Sequence, residues 1–183
     1  MTEPREIDRE ALAKWIATLC YRQGRFILRS GQESSYYWDK YRFESDPSLL
    51  RAVARALLNR LPPDIDIFAG LELGGVPIAT ALGLECSRPI SFVRKARKKY
   101  GTCKVVEGAD VTGKSVCLVE DVITTGGQVL ESLQVVRNEG GHVRCVACVI
   151  FRGKDIQPFI QASADLVALF TGEDLEKALG LQE

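Results

Sequence analysis

Apolar positions along the chain follow two different periods. Leu12, Trp15, Ile16, Leu19 and Cys20 recur at helical spacing and predict an amphipathic helix from Asp8 to about Tyr21. Residues 25–43, RFILRSGQESSYYWDKYRF, are rich in aromatic and β-favouring types broken by Ser30 and Gly31, which predicts two short strands about a turn. Ser45, Asp46 and Pro47 supply a cap and a first-turn proline for a helix to about Arg60, with Leu50, Val53, Ala54 and Leu57 on one face. Beyond Pro62 and Pro63 the pattern changes to short continuous apolar runs, 65–69, 89–93, 116–119, 143–151 and 166–170, separated for the most part by helical stretches. Continuous rather than alternating runs suit strands covered on both faces, so the last two-thirds of the chain predicts an α/β fold with a doubly wound, mainly parallel sheet. Ligand loops are then expected at the carboxyl ends of the strands.

Composition narrows the function classes. The 183 residues suit one domain, and 46% hydrophobic with 26% charged residues is ordinary for a folded globular chain. Lys plus Arg and Asp plus Glu stand at 24 each, so no global charge bias points to nucleic acid or an anionic membrane. The charged N-terminus MTEPREIDREALAK lacks a signal core, and no apolar run approaches a membrane span, which predicts a cytoplasmic protein. Six cysteines lack a framework spacing; Cys145 and Cys148 fall in one strand where alternation sends them to opposite faces, so reduced thiols are expected. His142, the single histidine, leaves no basis for a histidine triad or a multi-histidine metal site.

The stretch 116–132, VCLVEDVITTGGQVLES, carries the chemistry. An apolar strand runs into Glu120 and Asp121, placed where the strand is expected to end. Thr124, Thr125, Gly126 and Gly127 then turn into a helix. A Gly/Thr turn before a helix exposes backbone N–H groups at the positive end of the helix dipole, which suits a phosphate ester. Acids beside that cradle suit ribose hydroxyls, Mg²⁺ or a sugar carbon gaining positive charge, and a phosphorylated sugar satisfies both halves. Gly74 and Gly75 close the strand 65–69 segment ahead of a helix near Val76 and Pro77, offering a second set of N–H groups to an anion. Six of the eleven residues from Arg94 to Lys104 are cationic, in a long loop that reads as a basic lid. Consecutive Tyr36, Tyr37 and Trp38 cannot all face a core, and a planar ligand could stack there.

The 116–132 pattern closely resembles the ribose-phosphate motif of the type I phosphoribosyltransferases. Within that family the likeness is to the orotate branch. It extends over nearly the whole chain: FILRSGQESSYYWD resembles the hood segment, FVRKARKKYG the flexible loop, and Phe151-Arg152-Gly153 the end of the next strand. The resemblance implies a single domain, with a hood at about 1–45 and a core at about 46–183. It implies a 5-phosphate cradle at Thr124, Thr125, Gly126 and Gly127, and Glu120 and Asp121 on the ribose hydroxyls. Arg94, Lys95, Lys98 and Lys99 would bind pyrophosphate with Gly74 and Gly75, Lys98 serving catalysis across a homodimer. Arg29, Arg152, Tyr36 and Tyr37 would address orotate. It also implies Mg²⁺, carried by pyrophosphate and ribose oxygens rather than by protein side chains, and phosphoribosyl pyrophosphate as co-substrate. The implied reaction is phosphoribosyl transfer to orotate, giving orotidine 5′-monophosphate for UMP synthesis; a partner nucleic acid or membrane is not implied.

Three positions depart from the family pattern. Tyr100 stands where the loop commonly has His, Gly74 where many members have Lys, and Arg29 where Lys is frequent. The glycine predicts weaker pyrophosphate binding, since backbone donors alone remain. The central motif by itself does not choose the base, so a phosphoribosyltransferase for another base shares it, as does a non-catalytic regulator that binds phosphoribosyl pyrophosphate. The aromatic hood and Arg152 favour a small anionic base, and the intact acids and basic loop favour an enzyme.

Overall fold

The computed structural model describes residues 8–27, 31–96 and 104–181. Arg29, Arg97, Lys98, Lys99, Tyr100 and Cys103 lie outside the described residues. Helix α1 (Arg9–Cys20) is capped by the Asp8 side chain and buries Leu12, Ala13, Ile16, Ala17 and Cys20. The chain passes directly into β1 (Tyr21–Ile27), which pairs antiparallel with β2 (Glu33–Trp38) as a separate two-stranded sheet. After β2 the β-rich sequence turns into a short helix α2 (Tyr41–Ser45) instead of continuing extended. Phe43, with no exposed surface, explains the departure: one helical turn delivers its ring into the core, a gain that outweighs weak strand propensity. Helix α3 (Pro47–Leu58) starts as its sequence predicts, with Asp46 accepting hydrogen bonds from the Ser48 and Leu49 N–H groups at 2.9 Å each.

The second sheet holds six strands: β3 (Ile67–Leu71), β4 (Ile90–Val93), β5 (Val106–Gly108), β6 (Ser115–Ile123), β7 (His142–Phe151) and β8 (Asp165–Thr171). Their order is β5-β4-β3-β6-β7-β8, parallel throughout except for β5, which lies antiparallel on β4 at one edge. The edge strand falls in the stretch read from sequence as loop, because three residues are too few to show a period. Every residue of β3 is buried, as its uninterrupted apolar run requires. Helices α4 (Gly75–Cys86), α5 (Gly127–Asn138), α6 (Gln157–Gln161) and α7 (Gly172–Ala178) complete the layers. Two hydrophobic clusters flank the sheet, and β7 divides its side chains between them. Cys145, Ala147 and Val149 join the cluster containing α1, α3 and α4, while Val146 and Cys148 join the one containing α5. The expected opposition of Cys145 and Cys148 is therefore observed, and all five described cysteines are free thiols.

Arg9 fastens α1 to α7 and to β8, the edge strand of the sheet. Its guanidinium donates to Asp174 Oδ2 at 2.9 Å and to the Leu169 carbonyl at 3.3 Å, and lies 5.0 Å from the Phe170 ring centre. No helix among the described residues is long and apolar enough to cross a membrane. Ile16 has no exposed surface and sits where α1 meets the core. Ile16→Ala is expected to lower unfolding free energy by about 2–5 kcal/mol in urea titration; a loss below about 1 kcal/mol would show that α1 lies outside the cooperative core.

Candidate functional site

Strand β6 has two neighbours for only part of its length. Pairing with β3 ends at Gly70 and Val119, whereas pairing with β7 continues to Ile123 and Phe151. One side of β6 is therefore open from residue 120 onward. Glu120 and Asp121 occupy that open stretch, inside the strand and not beyond its end as the sequence suggested, because β7 keeps the backbone extended. Strand alternation sends the two acids to opposite faces, leaving Glu120 partly exposed and Asp121 with no exposed surface.

Asp121 is held from several directions. Its Oδ1 accepts the Val122 N–H at 2.5 Å, its own N–H donates to Glu120 Oε1 at 3.1 Å, and Lys40 Nζ stands 2.5 Å from Oδ2. Lys40 comes from the junction of β2 and α2, and Glu44, one helical turn later, is also buried. Three carboxyl groups thus share one ammonium. Burial pushes Glu44 up to about 9 and Glu120 up to about 8, with Asp121 adding to both shifts. Burial works in the same direction on Asp121, but Glu120, Lys40 and Glu44 outweigh it and hold this carboxyl below its ordinary value. Lys40 is disfavoured by burial, and Asp121 more than compensates, so the ammonium is held charged. Asp121 is the ionised member of the cluster near neutral pH.

Thr124 and Thr125 are exposed on the turn that follows. Gly126 has φ +78°, and a Cβ there would fall 2.5 Å from Phe159 Cζ, so both conformation and space require glycine. Gly127 opens the twelve-residue α5, whose unpaired first-turn N–H groups face this turn. Gly153 lets the chain after Arg152 pass the turn, since a Cβ there would lie 2.4 Å from the Thr124 carbonyl oxygen. At the end of β3 a cis peptide joins Glu72 and Leu73, and α4 begins at Gly75 with Gly74 as its cap. A Cβ on Gly74 would stand 1.8 Å from Asp121 Oδ2, and one on Gly75 2.0 Å from the Val119 carbonyl oxygen. The Asp121 carboxylate thus lies against the position that a side chain at 74 would enter.

The 124–127 turn contributes to two cavities. One of about 270 Å³ is lined by Trp38, Lys40, Thr124 and Arg152, together with Cys20 and Glu176. The other, a groove of about 490 Å³, brings Gly127 and Gln128 together with Glu72, Arg94 and Lys95, where the Lys95 N–H donates to Glu72 Oε2 at 3.1 Å. Tyr36 and Tyr37 line neither. Tyr36 stacks on Tyr21 at 5.6 Å between ring centres, and Tyr37 packs on Phe26 at 5.6 Å, leaving Trp38 as the aromatic wall of the first cavity. Sequence reasoning passed over Lys40 and Glu44. Their four-residue spacing on one helical face, directly after the aromatic run, is the signal that could have found them.

A family model for the phosphoribosyl transferase domain matches residues 42–162. The orotate phosphoribosyltransferase of Nocardioides sp. is 45% identical over 168 residues, which cover 91% of this chain and 94% of that protein. The crystal structure of Mycobacterium tuberculosis orotate phosphoribosyltransferase with Fe(III) dicitrate superimposes with a TM-score of 0.81 at 30% identity, over 91% of this chain and 98% of that one. The same mycobacterial enzyme in complex with 5-phospho-α-D-ribosyl 1-diphosphate gives 0.75 at 29% identity over 91% and 98%.

The acid cluster sets a pH dependence of stability. Glu44 and Glu120 titrate in the folded chain above their ordinary value of 4.5, so the folded state binds more protons than the unfolded one between those limits. Their contribution is fully present below about pH 4.5 and is lost as pH rises through 8 and 9. Glu44→Gln, which keeps an N–H donor toward Asp121, is expected to flatten the decline in unfolding free energy between pH 6 and 9 by up to about 1.4 kcal/mol per pH unit. Denaturant titrations at four pH values read this directly, and parallel curves for the two proteins would remove Glu44 from the cluster.

Proposed function

Since the chain belongs to the orotate phosphoribosyltransferases of the type I phosphoribosyltransferase family, we propose that the open end of β6 is where the transfer takes place. The enzyme transfers the 5-phosphoribosyl group from phosphoribosyl pyrophosphate to orotate, a step of pyrimidine biosynthesis. The bond from ribose C1 to the diphosphate oxygen breaks, and a bond from C1 to a ring nitrogen of orotate forms as that nitrogen loses its proton. The observation that carries the site assignment is the shared turn: Thr124 faces one cavity and Gly127 the other, with Asp121 and Glu120 just before them.

The 5-phosphate sits on the N–H groups of the turn and of α5, where the helix dipole favours its charge. Asp121, ionised and immobile, faces the ribose, where its charge counts most as C1 becomes cationic. Glu120 reaches the ribose hydroxyls. Arg94 and Lys95 receive the leaving diphosphate, joined by Lys98 and Lys99 of the basic loop. Arg152, which lines the same cavity as Thr124 and Trp38, grips the orotate carboxylate, for which a forked guanidinium is well matched. Tyr36 and Tyr37 support the hood through their stacking partners, and Arg29 belongs to the same hood segment.

Among the described residues no group of three or more His, Cys, Asp or Glu is placed to hold a metal ion, and Lys40 already occupies Asp121. That donor set fits Mg²⁺ brought in by the diphosphate, with phosphate, hydroxyl and water oxygens as its ligands. The ion would neutralise charge on the departing diphosphate. We assign the enzyme to the cytoplasm and expect it to act as a homodimer in which Lys98 serves the partner's site.

Loss of orotate ultraviolet absorbance with phosphoribosyl pyrophosphate and Mg²⁺ tests the reaction, with uracil, hypoxanthine and adenine in parallel; consumption of another base in place of orotate would overturn it. Asp121→Asn is expected to lower kcat by about 10²-fold while changing the KM for phosphoribosyl pyrophosphate far less. Unchanged turnover would refute the role given to Asp121.

A further inference from the structure

Lys40 belongs to two places at once. Its ammonium stands 2.5 Å from Asp121 Oδ2, and its side chain lines the cavity that also contains Arg152, Trp38 and Thr124. We propose that Lys40 is an exchangeable counter-ion, which covers Asp121 in the free enzyme and passes to the carboxylate of an arriving anionic base, thereby uncovering Asp121 toward the ribose. The inference rests on orotate as the base and adds a specificity-determining residue to that reading.

The two partners are unequally fixed. The Asp121 side chain is 1% exposed, and its Oδ1 is bound by the Val122 N–H. Its Oδ2 is fully enclosed and takes no aligned hydrogen bond, although the ammonium is close. Lys40 is 33% exposed on a flexible stem, and in the same position its Nζ lies 5.3 Å from the Tyr41 ring centre. Any exchange must therefore move the lysine and leave the carboxylate in place. Motion is also required chemically, because a cation seated on Asp121 cancels the charge that would stabilise a cationic C1. A base without a carboxylate gives the ammonium no alternative anion. Orotate does, in a cavity whose other cation, Arg152, has the same preference.

The test compares wild type, Lys40→Met and Lys40→Arg with orotate and with uracil, the latter followed by radiolabelled nucleotide formation, at saturating phosphoribosyl pyrophosphate. Calorimetric titration of phosphoribosyl pyrophosphate without base accompanies the kinetics. Lys40→Met is expected to lower kcat/KM for orotate at least about tenfold more than kcat/KM for uracil, and to bind phosphoribosyl pyrophosphate at least as tightly as wild type. Lys40→Arg, which keeps the charge and folds if Lys40→Met does not, should retain the preference for orotate. Equal losses for both bases, an unchanged orotate kcat/KM, or weakened phosphoribosyl pyrophosphate binding would each overturn the exchange. Failure of wild type to consume orotate would instead remove the underlying reading, and the inference with it.

Discussion

A carboxylate with no exposed surface has to be kept charged, and much of the site is arranged around that requirement. Burial alone would protonate Asp121. Its charge survives because Val122 donates to one oxygen, Lys40 faces the other, and the neighbouring acids Glu120 and Glu44 hold protons in its place. The opening that admits the carboxylate comes from the sheet itself, where β3 leaves β6 after Val119 while β7 goes on pairing. A fold-level fact, the unequal length of two strand ladders, thus sets the electrostatics of a single side chain.

The same contact joins the two sheets of the molecule. Lys40 follows the two-stranded sheet, Asp121 lies in the six-stranded one, and the cavity bounded by Trp38 and Arg152 lies between them. Arg9 and the apolar face of α1 provide the permanent attachment on the other side. A hood fixed at its base by hydrophobic contact and joined to the sheet by the Lys40–Asp121 ion pair can respond to what enters the cavity without loss of the core.

Much of this was legible in the sequence, for identifiable reasons. Continuous apolar runs gave the parallel strands, since strands covered on both faces have no polar side to display. Asp46 with Pro47, and the Gly/Thr turn before α5, were readable because caps and anion cradles are local chemistry. What escaped depended on neighbours distant in the chain. The edge strand Val106–Gly108 exists only because β4 lies beside it, and α2 forms because Phe43 has a core to enter. The depth of Asp121 reflects where β3 stops. Lys40 drew no reading from the sequence, and the fold places it on a residue 81 positions away. The closeness of Gly74 to the Asp121 carboxylate was likewise not legible, since it depends on how β3 and β6 are placed.

That last feature bears on how the site can change. A side chain at position 74 collides with Asp121 Oδ2 while the carboxylate holds its present rotamer, and that rotamer faces Lys40. The residue at 74, the rotamer of Asp121 and its contact with Lys40 are therefore coupled sterically. A larger residue at 74 requires the Asp121 carboxylate to swing away from its present position and from Lys40, so a change in the turn before α4 reaches the ion pair that joins the two sheets.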